Sequence, residues 1–144
     1  MPITPETQRA FLDTGYRVRL PQGGWAVIRI GLPLPRELHF CVNDEGTPWG
    51  FITAWNPFAK RTSRERNRVA QRELLATLLE RGARVRAGVG VGKQAGAGHT
   101  RWREPSLFVT GLDSDALDEL GRRFEQAAIV RGIGYGIAEL RELD

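Results

Sequence analysis

The sequence predicts an α+β fold, a single domain in which about three helices pack against one face of a mostly antiparallel or mixed sheet. Short apolar segments recur between turn-forming residues, which is typical of strands. Three other segments carry helix-start signals or apolar residues at helical spacing. These elements follow the order helix, four strands, helix, two strands, helix, two strands. That order lacks the regular strand–helix alternation of a doubly wound parallel sheet.

The first half of the chain is predicted to form one helix and four strands. The helix covers residues 4–13, because Thr4 before Pro5 is a favourable start and Gly15 follows its end. Turn residues separate the apolar segments that come next, and the first two of these should pair as a hairpin. The predicted strands are 16–20, 25–31, 37–42 and 49–55.

In the second half, two amphipathic helices each precede a pair of strands. Thr62 and Glu65 form a capping box for the first helix, and Gly82 ends it. Its core-facing side is expected at Val69 or Ala70, Leu74, Leu75, Leu78 and Leu79. The second helix covers 113–126 and directs Leu117, Leu120 and Phe124 inward. The strands are predicted at 84–92, 100–112, 127–132 and 135–143.

The composition is that of an ordinary globular protein rather than a membrane-embedded or disordered one. With 144 residues, 41% hydrophobic and 26% charged, the chain is expected to form one globular domain spanning residues 1–144. Its apolar runs are far shorter than the roughly 20 residues of a membrane span, and the N-terminal residues do not resemble a signal peptide. We therefore expect a cytoplasmic protein. Cys41, the single cysteine, excludes an intramolecular disulfide and is expected to be a small buried hydrophobe.

The net charge of +4 invites a nucleic-acid interpretation, but nineteen of the 21 basic residues are arginines, a bias that a GC-rich gene can produce. Arg61, Arg64, Arg68 and Arg72 form a stripe on the long helix, away from its leucines. The stripe is either a solvated helix face or a phosphate-binding surface. Aromatic residues, which single-strand binders interleave with cations, are not adjacent to it in the sequence.

The glycine-rich segment 87–99 suggests a phosphate loop at first sight. Ala87 stands where that motif needs its first glycine, and Gln94 replaces the magnesium-binding hydroxyl. A dinucleotide-binding pattern also fits, but the residues that follow cannot begin the helix it requires. The segment is better explained as a strand whose glycines allow close approach, leading to a loop that offers Lys93 and His99 to a ligand.

Metal binding and serine-hydrolase chemistry have little support. The two histidines, His39 and His99, lack ligand spacing, so no metal and no cofactor are expected. Ser106 is not in a nucleophile elbow.

Polar residues at element junctions are the best candidates for a site. Asn56 ends a strand before a proline, which predicts an extended conformation and either an Asx turn or a functional role. Asn67 points to the core side of the long helix and needs a hydrogen-bond partner, such as the Asn56 turn. Glu104 and Ser106 share one face of a strand, and Gln126 ends the last helix.

These junction residues resemble a family of bacterial proteins catalogued as domain of unknown function 3293, over about residues 16–140. The markers are Thr53-Ala54-Trp55-Asn56-Pro57, Asn67, Glu104-x-Ser106, and Gln126 before a short apolar strand. Here Pro105 occupies the position between the glutamate and the serine, which can alter strand pairing. The resemblance implies no activity, but it suggests that these polar residues belong to one structure and line a common pocket.

Three functions remain open. The first is a non-catalytic module that binds a small molecule or a peptide in a polar pocket near Trp55, Asn56, Glu104 and Gln126. The second is a small hydrolase or transferase in which Glu104 is the general base, Asn56 and Gln126 contact the substrate and Ser106 orients the carboxylate. The third is nucleic-acid binding through the arginine-rich residues 60–72.

Overall fold

The computed structural model describes residues 3–42, 46–92 and 102–143 of the chain. These ranges contain three α-helices: α1 (Pro5–Leu12), α2 (Arg64–Glu80) and α3 (Ser114–Arg123). The strands are β1 (Gly15–Arg19), β2 (Trp25–Ile28), β3 (Pro48–Ile52), β4 (Arg84–Gly92), β5 (Trp102–Thr110), β6 (Ala128–Ile133) and β7 (Glu139–Glu142). They form one sheet in the order β2-β1-β4-β5-β3-β6-β7, and every neighbouring pair is antiparallel. The predicted α+β class is confirmed.

The sheet carries a hydrophobic core on each face. On the first face, Trp49, Phe51 and Phe108 pack under the segment that contains Leu34 and Leu38. Helices α2 and α3 cover the second face, and their leucines pack against β3, β5 and β6. The buried residues of this second core include Ile52, Leu74, Leu78, Val109, Leu117, Leu120 and Ile129.

The prediction that all helices lie on one face is wrong for α1. Phe11 and Thr14, at the end of α1 and just after it, line a cleft together with Glu104, which shares the first face with Phe108. This helix has no buried residue of its own. None of the helices in the described part of the chain is long and apolar enough to span a membrane.

The strand predicted at 37–42 is also wrong, since residues Arg36–Cys41 form a 3-10 helix. A strand facing the core would bury alternate residues, but here Leu38 is buried whereas Phe40 is mostly exposed. The ring of Phe40 lies against the guanidinium of Arg86 instead. Cys41 is half-buried beside the first core rather than within it.

Helix α2 starts and packs differently from the prediction. Its N-cap is Ser63, whose hydroxyl accepts a hydrogen bond from the Arg66 backbone N–H, so the capping box at Thr62 is wrong by one residue. Leu74 and Leu78 are buried as expected. Of the alternatives Val69 and Ala70, Ala70 packs against the second core and Val69 is exposed. Leu75 and Leu79, also expected to face inward, are exposed instead.

The glycine segment forms strand β4 as far as Gly92, and Lys93, His99 and the residues between them, predicted as a loop, lie outside the described residues. Gly88, Gly90 and Gly92 face the same side of the sheet as Glu104, because each pairs with alternate residues of β5. A Cβ on Gly88 would lie 2.8 Å from the Phe51 ring. The sequence predicted close backbone approach at these glycines. At Gly88 the near neighbours are the Arg17 carbonyl oxygen and the Phe51 ring, which explains the need for glycine at this position.

Gly88→Ala should lower the free energy of unfolding by about 1–3 kcal/mol, because both the Phe51 ring and the Arg17 carbonyl oxygen obstruct the new methyl group. Gly90→Ala is the matched control. Its Cβ would meet no atom closer than 3.6 Å, so its stability should stay within about 0.5 kcal/mol of wild type or rise slightly. Urea denaturation compares the two, and equal effects would contradict the role of close approach.

Candidate functional site

The segment that leaves β3 is held by two side chains of α2. Gln71 Oε1 accepts a hydrogen bond from the Ala54 backbone N–H at 2.8 Å, and Asn67 Oδ1 accepts one from the Asn56 N–H at 2.9 Å. The two acceptors are four residues apart on the helix, a rise of about 6 Å, which is close to the spacing of alternate residues in an extended chain. Side chains of α2 thus supply the hydrogen-bond acceptors that the backbone of a neighbouring strand would otherwise provide.

The side-chain amide of Asn56 joins three parts of the fold. Its Oδ1 accepts hydrogen bonds from the Thr62 backbone N–H and from Asn67 Nδ2, both at 3.0 Å. Its Nδ2 donates to Glu104 Oε2 at 3.2 Å. The turn after β3, the start of α2 and strand β5 therefore meet at one amide group. The expected bond between Asn67 and the Asn56 turn is present.

The backbone of this turn is left-handed, so the predicted extended conformation of Asn56 is wrong. Asn56 has φ 50° and ψ 65°, and the non-glycine residues Phe58 and Ala59 also have positive φ. Asparagine tolerates this region better than most residues, but Phe58 does so at a cost of order 1–3 kcal/mol. The Phe58 N–H donates to the Glu125 carbonyl oxygen at 2.6 Å, and this contact helps to hold the turn in place.

Glu104 lies at the bottom of a cleft between α1 and β5. The cleft encloses about 340 Å³, and an adjoining smaller pocket of about 70 Å³ is lined by Glu104 as well. Phe11 and the indole of Trp102 form apolar walls, and Ala59 of the left-handed turn completes one side. The side chain of Glu104 is only 7% exposed. A buried carboxyl thus faces a space large enough for a small molecule.

Burial raises the pKa of Glu104 from 4.5 to about 8, and the hydrogen bond from Asn56 opposes this shift only in part. Among the described residues, Glu104 has no cationic partner, and the bond from Asn56 is the one hydrogen bond to its carboxyl. The carboxyl is therefore largely protonated at neutral pH. A ligand that supplies positive charge or a further hydrogen-bond donor would favour its ionised form.

The described lining of the cleft contains carboxyl groups but no cation. Glu6 of α1 stands among its lining residues with Glu104, and the others are neutral. This is notable in a protein of net charge +4, because the excess arginines lie elsewhere. No group of three or more His, Cys, Asp or Glu side chains in the described ranges is arranged to hold a metal ion.

Two further predicted site residues, Ser106 and Gln126, line the smaller pocket together with Asn56 and Glu104. The Ser106 hydroxyl and the Gln126 amide nitrogen both donate to backbone carbonyl oxygens. The Ser106 hydroxyl donates to the backbone carbonyl of Glu104, so its predicted role of orienting the carboxylate is wrong. Gln126 Nε2 donates to the carbonyl oxygens of Trp55 and Phe124, at 3.2 and 3.3 Å.

Trp55 is not part of the Glu104 cleft. Its side chain lines a groove on the opposite face of the sheet with Arg64, Arg68 and Arg72. The fourth member of the predicted arginine stripe, Arg61, precedes α2 and does not line this groove. The three arginines of the groove are exposed, and tertiary structure places an aromatic residue beside them, so both interpretations of the stripe remain open.

Sequence reasoning missed two walls of the cleft. Trp102 lies two residues before Glu104 on the same strand, so the alternation that paired Glu104 with Ser106 could have identified it. Phe11 and Thr14 come from the other end of the chain, and no local pattern links them to β5.

The raised pKa of Glu104 predicts that stability falls as pH rises. The folded protein retains a proton between about pH 4.5 and pH 8 that the unfolded chain releases, so unfolding becomes easier across this range. Relative to Glu104→Gln, wild type should lose about 1.4 kcal/mol of unfolding free energy per pH unit in this window and nothing further above it.

Urea denaturation at several pH values measures this difference. Glu142→Gln, which removes an exposed carboxyl on β7, is the control and should follow the wild-type curve. Parallel curves for wild type and Glu104→Gln would contradict the raised pKa.

Comparison with known proteins adds a family but no activity. The chain matches no curated protein and no solved structure. The family model described as "Protein of unknown function (DUF3293)" matches residues 52–129, more than half of the chain. This range contains Asn56, Asn67, Glu104 and Gln126, the residues that meet between β3, α2 and β5 and beside the smaller pocket. The chain therefore belongs to the DUF3293 family.

Proposed function

We propose that this protein is a non-catalytic binding module whose cleft takes a small ligand carrying a cationic group, with the Glu104 carboxylate as its counter-ion. The observation that carries the proposal is a buried carboxyl with no cationic partner among the described residues, facing a cleft of about 340 Å³. Buried charges are normally paired, and a ligand cation would supply the missing partner.

The walls of the cleft favour the same class of ligand. The indole of Trp102 is exposed and can contact a cation through its ring face, and Phe11 offers a further apolar surface. Glu6 adds negative charge to the described lining. A compact amine with an apolar body matches this combination of groups, whereas an anion would face two carboxyls.

Phenethylammonium and phenylacetate form a matched pair of probes of similar size and opposite charge. In chemical-shift titrations of isotope-labelled protein, phenethylammonium should bind and shift the Trp102 indole and Asn56 amide signals. Its affinity should rise by up to about tenfold per pH unit towards pH 8, because binding requires the ionised carboxyl. Glu104→Gln should weaken this binding at least about tenfold, and the exposed control Glu142→Gln should not change it.

Equal binding of the two probes, no binding by wild type, or unchanged binding by Glu104→Gln would each contradict the proposal. Circular dichroism establishes that the variants are folded. Glu104→Gln keeps an oxygen to accept the bond from Asn56, so the network around the turn is retained.

A second candidate function is general-base catalysis by Glu104. The observation that favours it is the pKa of about 8, close to the pH at which a base works best, in a group that faces a cleft. The base would have to act on water or on the ligand. The nearby hydroxyls of Thr14, Tyr16 and Ser106 all donate to backbone carbonyls and are not available as its partners.

Ester hydrolysis separates the two candidates. A general base predicts that turnover of p-nitrophenyl acetate rises with pH about a midpoint near 8 and is lost in Glu104→Gln. If the protein only binds its ligand, wild type and Glu104→Gln should both hydrolyse the ester no faster than buffer alone.

A further inference from the structure

A groove of about 540 Å³ lies between α2 and β5, on the face of the sheet opposite the Glu104 cleft. Its floor is apolar and is formed by Trp55, Leu75 and Pro105. Arg64, Arg68 and Arg72 line its helical side; we call this feature the arginine groove. It combines positive charge with an apolar surface, and the function proposed for the cleft does not use it.

The three guanidiniums form no ion pair or hydrogen bond within the described part of the chain. They lie four residues apart, so each is about 6 Å further along the axis of α2 than the one before. This row of similarly spaced positive charges suits an extended polyanion, whose own charges repeat along its length. Arginine also binds phosphate oxygens through two parallel hydrogen bonds.

The backbone of Trp55, whose side chain lines the groove beside these charges, is held in a defined position. The Trp55 backbone N–H donates to the Thr53 hydroxyl at 3.0 Å, and its carbonyl accepts from Gln126. A planar group carried by the polyanion can stack on such an aromatic side chain. Arginine rows with an aromatic platform are the usual surface for single-stranded nucleic acid.

Within the described residues, β3 pairs with β5 only as far as Leu107, and the side of β5 left without a partner strand beyond that point is closed to an added peptide strand at Pro105. At Pro105 of β5 the backbone has no N–H, and its carbonyl oxygen already accepts a hydrogen bond from the Thr53 hydroxyl at 2.7 Å. A peptide could therefore not continue the sheet at this point by pairing with β5. This argues against an acidic peptide bound as a strand, although its charge would match.

We propose that the arginine groove binds single-stranded nucleic acid, with successive phosphates on Arg64, Arg68 and Arg72 and a base stacked on Trp55. Duplex binds more weakly, because its bases are already stacked on one another and cannot lie on the indole. The net charge of +4 adds a general attraction for polyanions.

Fluorescence anisotropy with a labelled twelve-nucleotide thymidine strand tests the proposal. The combined change Arg64→Gln, Arg68→Gln and Arg72→Gln should weaken binding. It should also reduce the slope of log K against log salt concentration by about two, since each lost phosphate contact contributes about 0.7 to that slope. Changing Arg9, Arg36 and Arg122 to glutamine removes the same net charge from exposed sites outside the groove. This control should leave the affinity and the slope close to wild type.

Trp55→Leu should weaken single-strand binding by about tenfold, and Trp55→Phe should restore part of it. Leu75→Glu, at an exposed position in the groove floor, places a repelling charge there and should also weaken binding if Trp55→Leu fails to fold. The fold of each variant is checked by its thermal unfolding.

Three results would overturn the proposal: no binding by wild type, equal loss in the two triple variants, or equal affinity for the strand and its duplex. Labelled polyglutamate is the competing polyanion. If it binds as tightly as the oligonucleotide and with the same dependence on Trp55, the groove accepts an acidic peptide and the proposal is wrong.

Discussion

The amide side chain of Asn56 is the point on which both candidate surfaces depend. It bonds to Asn67 of α2, to the backbone of Thr62 and to the carboxyl of Glu104, and so connects the helix layer with the central strand of the sheet. The chain turns here in a left-handed conformation. At this turn Trp55 lines a groove on one face of the sheet and Asn56 lines a cleft on the other.

The two surfaces have opposite electrostatic character. Among the described residues, the cleft is lined by two carboxyls and no cation, whereas the groove is lined by three arginines and no acid. Salt screens charges over about 10 Å under ordinary conditions, so two sites on opposite faces of a sheet can keep distinct preferences. A cationic small molecule and a polyanion would therefore not compete directly for binding to this protein.

The polar residues that carry the family resemblance divide into two groups when their bonds are followed. Asn67, Ser106 and Gln126 are engaged with backbone or with Asn56, which identifies them as structural supports of the turn and of strand β5. Glu104 differs, because a buried carboxyl with a single hydrogen bond from the described residues is poorly compensated. This contrast is the physical reason for assigning the chemistry of the cleft to Glu104 and its support to the others.

The sequence alone determined the fold class, the three helices and most strands, because hydrophobic periodicity, caps and turn residues are local signals. It also identified Asn56, Asn67 and Glu104 as polar residues in need of partners. The 3-10 helix at Arg36–Cys41, the exposure of Leu75 and the position of Phe11 beside Glu104 were decided by tertiary packing. Whether a side chain meets the core or a groove depends on which distant element covers it, and local spacing carries no information about that.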